Sequence, residues 1–175
     1  MEGLEIERIW AMPNKWTFKI TPIRRLLKKE VGDGMFIRGL WCDPFCGENS
    51  PAQITNDLNP KRKATHHKDA LVFLREQPSE QFDGFLFDPP YSPRQVKECY
   101  DDIGKETVAD NTRLDFWSKC KDEGARIVKH GGKVICFGWN SMGMGKSRGF
   151  EMQKILLVPH GASKNDTIVT VEIKI

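Results

Sequence analysis

Residues Asp88-Pro89-Pro90-Tyr91 place a carboxylate, two prolines and an aromatic ring directly after the apolar run Phe82-Asp83-Gly84-Phe85-Leu86-Phe87. An apolar run of that length reads as a buried strand, which puts the four residues at its carboxyl end, the edge where open α/β sheets bind ligands. The residue types suit one kind of substrate, the exocyclic amine of a nucleobase. The Asp88 carboxylate and the Pro89 carbonyl can each accept one of its two N–H donors. Such an amine is a poor nucleophile because its lone pair is delocalised into the ring. Two fixed acceptors draw that pair back onto nitrogen, which is catalysis by positioning and electrostatics. Pro89 and Pro90 stiffen the turn, and Tyr91 offers a face for stacking an extruded base, typically worth about 1–3 kcal/mol. The bland reading is an acidic cap and a proline turn closing a strand.

The elements that must position this motif follow from hydrophobic patterning. Runs of strand length recur at 35–42, 82–87, 133–137, 154–158 and 167–173, with shorter extended candidates at 52–56 and 65–67. Helical patterns are expected at 22–31, 69–76 and 117–128, the last stopped by Gly131-Gly132. Alternating strands and helices imply a mostly parallel sheet covered on both faces. The last two strands are separated by 159–166 alone, too short for a crossover helix, so an antiparallel hairpin is expected at one edge.

Composition sets wide limits. The chain has 175 residues, 29% of them charged, with a formal net charge of +3. That length fits a single domain over 1–175, and the small positive charge is compatible with nucleic acid without requiring it. Five cysteines (Cys42, Cys46, Cys99, Cys120, Cys136) lack metal-site spacing. The adjacent His66 and His67 would point apart on an extended chain, so no metal site is expected. Reduced thiols are the simplest account. No signal segment or membrane-length apolar stretch is read, and a cytoplasmic, membrane-free protein is expected.

A second set of residues precedes the first. The 35–42 run leads into Asp43-Pro44-Phe45-Cys46-Gly47-Glu48-Asn49, where Gly47 removes a side chain and lets backbone N–H groups approach a ligand. Asp57, beside Leu58, stands at the end of the next strand, a position that holds ribose hydroxyls in nucleotide pockets. Asp69, before Ala70 and a helix, would accept from an adenine amine or simply cap that helix.

Taken in order, Asp43-Pro44-Phe45-x-Gly47, Asp57-x-Asn59-Pro60, Asp69-Ala70 and Asp88-Pro89-Pro90-Tyr91 resemble the amino-methylating DNA methyltransferases that use S-adenosylmethionine, in their γ-type motif order. The Asp-Pro-Pro-Tyr form is similar to that of adenine-N6 enzymes. Residues 14–24, 92–95 and 137–141 resemble a small phage and mobile-element subgroup of these. The resemblance implies a Rossmann-like class I methyltransferase fold, α/β, with a mostly parallel seven-stranded sheet and a C-terminal antiparallel hairpin. It implies S-adenosylmethionine as cofactor, S-adenosylhomocysteine as product, and adenine flipped from duplex DNA as substrate.

It further implies that Phe18, Asp43, Pro44, Phe45, Gly47, Asn49, Asp57, Leu58, Asp69, Ala70 and Asp88 serve the cofactor. Phe18 would wall the methionine part, since aromatic faces attract a sulfonium cation, and Asp43 would bind the methionine end or its own loop. Trp16 reads as an ordinary core residue. Two departures stand out. Glu48-Asn49 replaces the usual glycine-rich continuation, and Asn49 tolerates a positive φ. No target-recognition domain of the usual size is fitted, which suggests loose specificity, a homodimer or a partner subunit.

On the polymer side, residues 92–112 read as a loop beside the catalytic strand, with Arg94, Lys97 and Lys105 as phosphate contacts; Pro60-Lys61-Arg62-Lys63 is a further basic run. Trp139 and Asn140 are expected to border the base pocket. The basic, glycine-rich 141–149 stretch, with Lys146 and Arg148, is expected as a substrate-side loop. Three alternatives stay open: the same chemistry on RNA, cytosine-N4 as the target, and a non-catalytic nucleic-acid-binding subunit.

Overall fold

The structure is a computed structural model and describes residues 3–104, 114–161 and 164–175. Its centre is a parallel array of β5 (Ile54–Thr55), β4 (Trp41–Asp43), β6 (Phe82–Phe87) and β7 (Val128–Gly138). Beyond β7, β9 (Thr167–Lys174) runs antiparallel to both β7 and β8 (Phe150–Val158). The expected parallel sheet with a terminal antiparallel hairpin is therefore present.

Two-residue alternation distributes most of the core. In β6 and β7, Phe85, Phe87, Val134 and Cys136 face one side with Phe73, Leu74, Cys120 and Ile127. Leu86, Ile135 and Phe137 face the other with Ile23, Leu26 and Leu27. The first face carries α2 (Ala70–Arg75) and α4 (Leu114–Ile127), and the second α1 (Thr21–Glu30). In α1 a proline in the first turn and apolar residues at i, i+3 and i+4 build the buried stripe. Gly84 belongs to this packing: a Cβ there would meet the Trp41 ring at 2.3 Å.

Several boundaries differ from expectation. The 35–42 run is not one strand. Gly39 takes a φ of +77° and turns the chain, leaving a small hairpin of β2 (Gly32–Asp33) and β3 (Phe36–Ile37) before β4. The 65–67 segment contributes a single bridge, Asn56 to His66. The seventh strand is instead β1 (Glu5–Arg8), parallel to the outer edge of β8. There Lys154 holds Glu5 at 2.8 Å and Glu7 at 2.7 Å. Gly131-Gly132 does not stop a helix but lies within β7, where the register with β6 shifts between Phe82 and Gly84. Residues 93–101, expected as loop, form α3 (Pro93–Asp101), capped by the Ser92 hydroxyl on Gln95 N at 3.3 Å. Lys105 lies outside the described residues.

All five cysteines are free. Among the described residues no helix is long and apolar enough to cross a membrane, and no group of three or more potential ligands is placed to hold a metal.

Candidate active site

The carboxyl ends of β4, β5, β6 and β7 open into one cavity of about 1090 Å³. Asp88 follows β6 directly, and the Tyr91 hydroxyl donates to its Oδ1. The Thr17 side chain is within hydrogen-bonding reach of both groups. Burial pushes the Asp88 carboxyl up to about 6, while the Tyr91 and Thr17 hydrogen bonds pull the other way. Burial, then the charge of Asp88, drives the Tyr91 phenol well above its ordinary value. Gln95 accepts from Tyr91 N at 2.6 Å, so the start of α3 braces the turn. The Tyr91 ring lies 5.6 Å from the ring of Trp139, which is 43% exposed at the cavity mouth.

The other half of the cavity is built on the β4 turn. Gly47 has a φ of +49°, and Asn49 takes a φ of +68° as its side chain allows. Gly47 N donates to Asp57 Oδ2 at 3.1 Å, and Asn59 N donates to Asp57 Oδ1 at 2.8 Å. One carboxylate thus joins the β4 and β5 turns, and burial raises it above the ordinary range. Asp69 caps α2 by accepting from Leu71 N at 3.0 Å and Val72 N at 3.3 Å. It lines the cavity together with Pro44, Phe45, Leu58 and Ala70. The Phe45 ring meets Phe87 and Trp117 edge-on, at 5.6 and 5.7 Å.

Phe18 reaches the cavity from the core, where it packs on Phe137 at 5.1 Å. Trp16, expected in the core, is instead only half-buried and lies against Gly47; a Cβ there would come within 3.3 Å of the indole. The Arg62 guanidinium sits 4.7 Å from the Trp16 ring and pairs with Glu48 at 3.0 Å.

Asp43 does not face the cavity. It is fully buried and holds its own loop, accepting from Phe45 N at 3.0 Å and the Ser50 hydroxyl at 2.6 Å. Of the two roles considered for it, the structure places it in the loop role. Burial pushes its carboxyl up to about 7 against the two donors, with Asp88 and Asp57 adding like charge. Asn49 and Asn140 do not line the cavity either; Asn140 accepts from Met142 N at 3.1 Å.

Lys146 and Arg148 do not line the cavity. The chain leaving β7 must return to the opposite end of the sheet to begin β8, and it does so along α4. Glu172 accepts from Met144 N and Gly145 N, while Arg148 is bound by Asp122 at 2.7 Å and the Ser118 hydroxyl at 2.8 Å. Arg94 does line the cavity, but its side chain is exposed and pairs with Glu98 at 2.8 Å.

The reading from residues missed Thr17 and the bracing role of Gln95. Only spacing signalled Gln95, four residues after Tyr91 with Ser92-Pro93 between, a capping pattern. Nothing local connects Thr17 to a carboxylate seventy-one positions away.

Neither the known family models nor the curated proteins contain a sequence match. Similar folds are found among solved structures. TrmN from Thermus thermophilus superposes with a TM-score of 0.55 at 15% identity, over 89% of this chain and 49% of that one. The Burkholderia thailandensis 1,6-didemethyltoxoflavin-N1-methyltransferase, solved with 1,6-didemethyltoxoflavin and S-adenosylhomocysteine, gives 0.55 at 11% identity, over 87% and 76%. Escherichia coli yhhF, assigned to the methyltransferases, gives 0.51 at 10% identity, over 94% and 91%. The chain spans about half the length of TrmN. Identities this low establish the fold, which is the Rossmann-like methyltransferase fold.

Proposed function

We propose that the protein transfers a methyl group from S-adenosylmethionine to the N6 amine of adenine in DNA. The observation that carries this reading is a juxtaposition. Asp88, with an aromatic pair beside it, opens into the same cavity as the Gly47 turn and the Asp57 carboxylate. The residues present fit that cofactor: a glycine turn beside a carboxylate at a strand end, apolar walls from Phe45 and Leu58, and a helix start at Asp69-Ala70. When bound, S-adenosylmethionine supplies an activated methyl group and leaves as S-adenosylhomocysteine.

The chain's own residues do the rest. Asp57 accepts from ribose hydroxyls, and Asp69 and Leu58 flank the purine. Phe18 walls the methionine end, and Asp43 keeps the turn in shape. Tyr91 stacks on the incoming base. Asp88 and the Pro89 carbonyl hold the amine by its two N–H groups and raise electron density on nitrogen.

The paired variants Asp88→Ala and Asp57→Ala test the assignment by calorimetry with S-adenosylmethionine and by radiolabel transfer to DNA. Asp88→Ala is expected to lose transfer and keep cofactor binding; Asp57→Ala is expected to weaken cofactor binding first. Equal loss of both properties in the two variants would refute the division of roles.

A further inference from the structure

Beside the cavity, around Trp10 and the loop after β8, lies a surface that the proposed reaction does not use. Past β1 the chain stays paired with β8, through Ile9 N to Leu157 O at 2.9 Å and Ala11 N to Pro159 O at 3.2 Å. Between those two bonds Trp10 is held outward and 58% exposed, although it is among the largest apolar side chains. Its indole lies against the hairpin loop, with Nε1 3.6 Å from where a Cβ on Gly161 would stand.

His160 locks the two segments together. Its Nδ1 lies 2.8 Å from the Ala11 carbonyl and its Nε2 2.9 Å from the Thr167 hydroxyl. The exposed ring is therefore mounted on fixed backbone rather than on a loose end. Lys15 and Lys164 line the same cavity as Tyr91 and Trp139. Neither lysine is in an ion pair among the described residues. The cavity lined by Tyr91 and Trp139 thus also carries two cations, one of which, Lys164, sits on the loop against which the exposed Trp10 indole lies.

Resting on the methyltransferase reading above, we propose that this surface, centred on Trp10, Lys164 and Trp139, binds the unpaired nucleotides that flank the target base, so that the substrate is single-stranded DNA. Exposed aromatic faces interleaved with cations suit a strand whose bases are free to stack, because every base has a π-face and every linkage a phosphate. A duplex buries those faces and offers chiefly phosphates. Rigid mounting adds to the fit, since little backbone entropy remains to be lost on binding.

Fluorescence anisotropy with a short labelled DNA oligonucleotide, single-stranded or annealed, tests this in the presence of S-adenosylhomocysteine. The single strand is expected to bind more tightly than the duplex. Trp10→Ala and Lys164→Glu are each expected to weaken it by roughly tenfold, while calorimetric cofactor affinity stays unchanged. Replacing Met35 and Phe36, exposed on the β2–β3 hairpin, with serine serves as the control and should leave binding as it was. Tighter binding of duplex, or variants that bind like wild type while methylation persists, would overturn the surface and leave the reaction standing. Wild-type protein that binds the cofactor but neither form of DNA would overturn both.

Discussion

The Tyr91 hydroxyl donates its hydrogen bond to Oδ1 of Asp88, so one oxygen of the carboxylate proposed to accept the substrate amine is engaged by the residue three positions on. An amine binding at Asp88 must use Oδ2 or displace the phenol from Oδ1. Tyr91→Phe keeps the ring and removes the competitor, and is expected to retain turnover with a KM for DNA equal to or below that of wild type. Tyr91→Ala removes the stacking face as well and is expected to raise KM by roughly tenfold or more. Steady-state kinetics on both variants check this.

Turnover should depend on pH through Asp88. The carboxyl accepts a hydrogen bond well only when ionised, and burial has moved its midpoint up to about 6. The profile of kcat/KM is therefore expected to rise through about pH 6 and then level off. Thr17 favours the charged form of Asp88, so Thr17→Val should move that midpoint upward. Cofactor affinity should not change.

Asp43 makes an opposite kind of contribution, to stability. Its folded value of about 7 lies above its unfolded value, so the native state binds more protons across the interval between them. Stability from this group is complete below the unfolded value and is lost as pH rises through about 7. Asp43→Asn abolishes that loss while keeping an acceptor for Phe45 N, and its urea midpoint should gain on wild type between roughly pH 5 and pH 8. Asp43→Ala strands the Phe45 N–H and is expected to cost about 1–3 kcal/mol.

Gly47→Ala tests the cofactor turn. The residue sits at a φ of +49° with the Trp16 indole over it, so an added methyl group meets both backbone strain and the ring. The strain alone is about 1–2 kcal/mol. A folded protein with weakened S-adenosylmethionine binding by calorimetry is the expected outcome, and unchanged affinity would argue that the turn does not contact the cofactor.

What could be read from the residues follows from where the information is stored. β6 and its motif were legible because an apolar run, interrupted by Asp83, is buried on both faces and ends in an abrupt change of chemistry. The terminal hairpin was legible from loop length alone. β1 was not, because Glu-Ile-Glu-Arg carries no apolar alternation and its partner Lys154 is 149 residues away. The 35–42 run misled because its apolar content outweighed Gly39, whose positive φ breaks it. α3 was hidden by a polar exposed face, with Val96 buried beneath it. Lys146 and Arg148 read as part of a substrate-side loop until Asp122 and Ser118, distant in sequence, took up the Arg148 guanidinium. Asp57 and Asp69 were found at the expected strand end and helix start, whereas Thr17 required the fold.

The central claim is that Asp88 presents an adenine amine for methylation. Nucleoside mass spectrometry after incubating the protein with S-adenosylmethionine and unmethylated DNA or RNA tests it most directly, with Asp88→Ala as the blank. The account requires N6-methyladenine in DNA alone and none with the variant. Methylated cytosine, methylation confined to RNA, or N6-methyladenine that persists in the Asp88→Ala sample would contradict it.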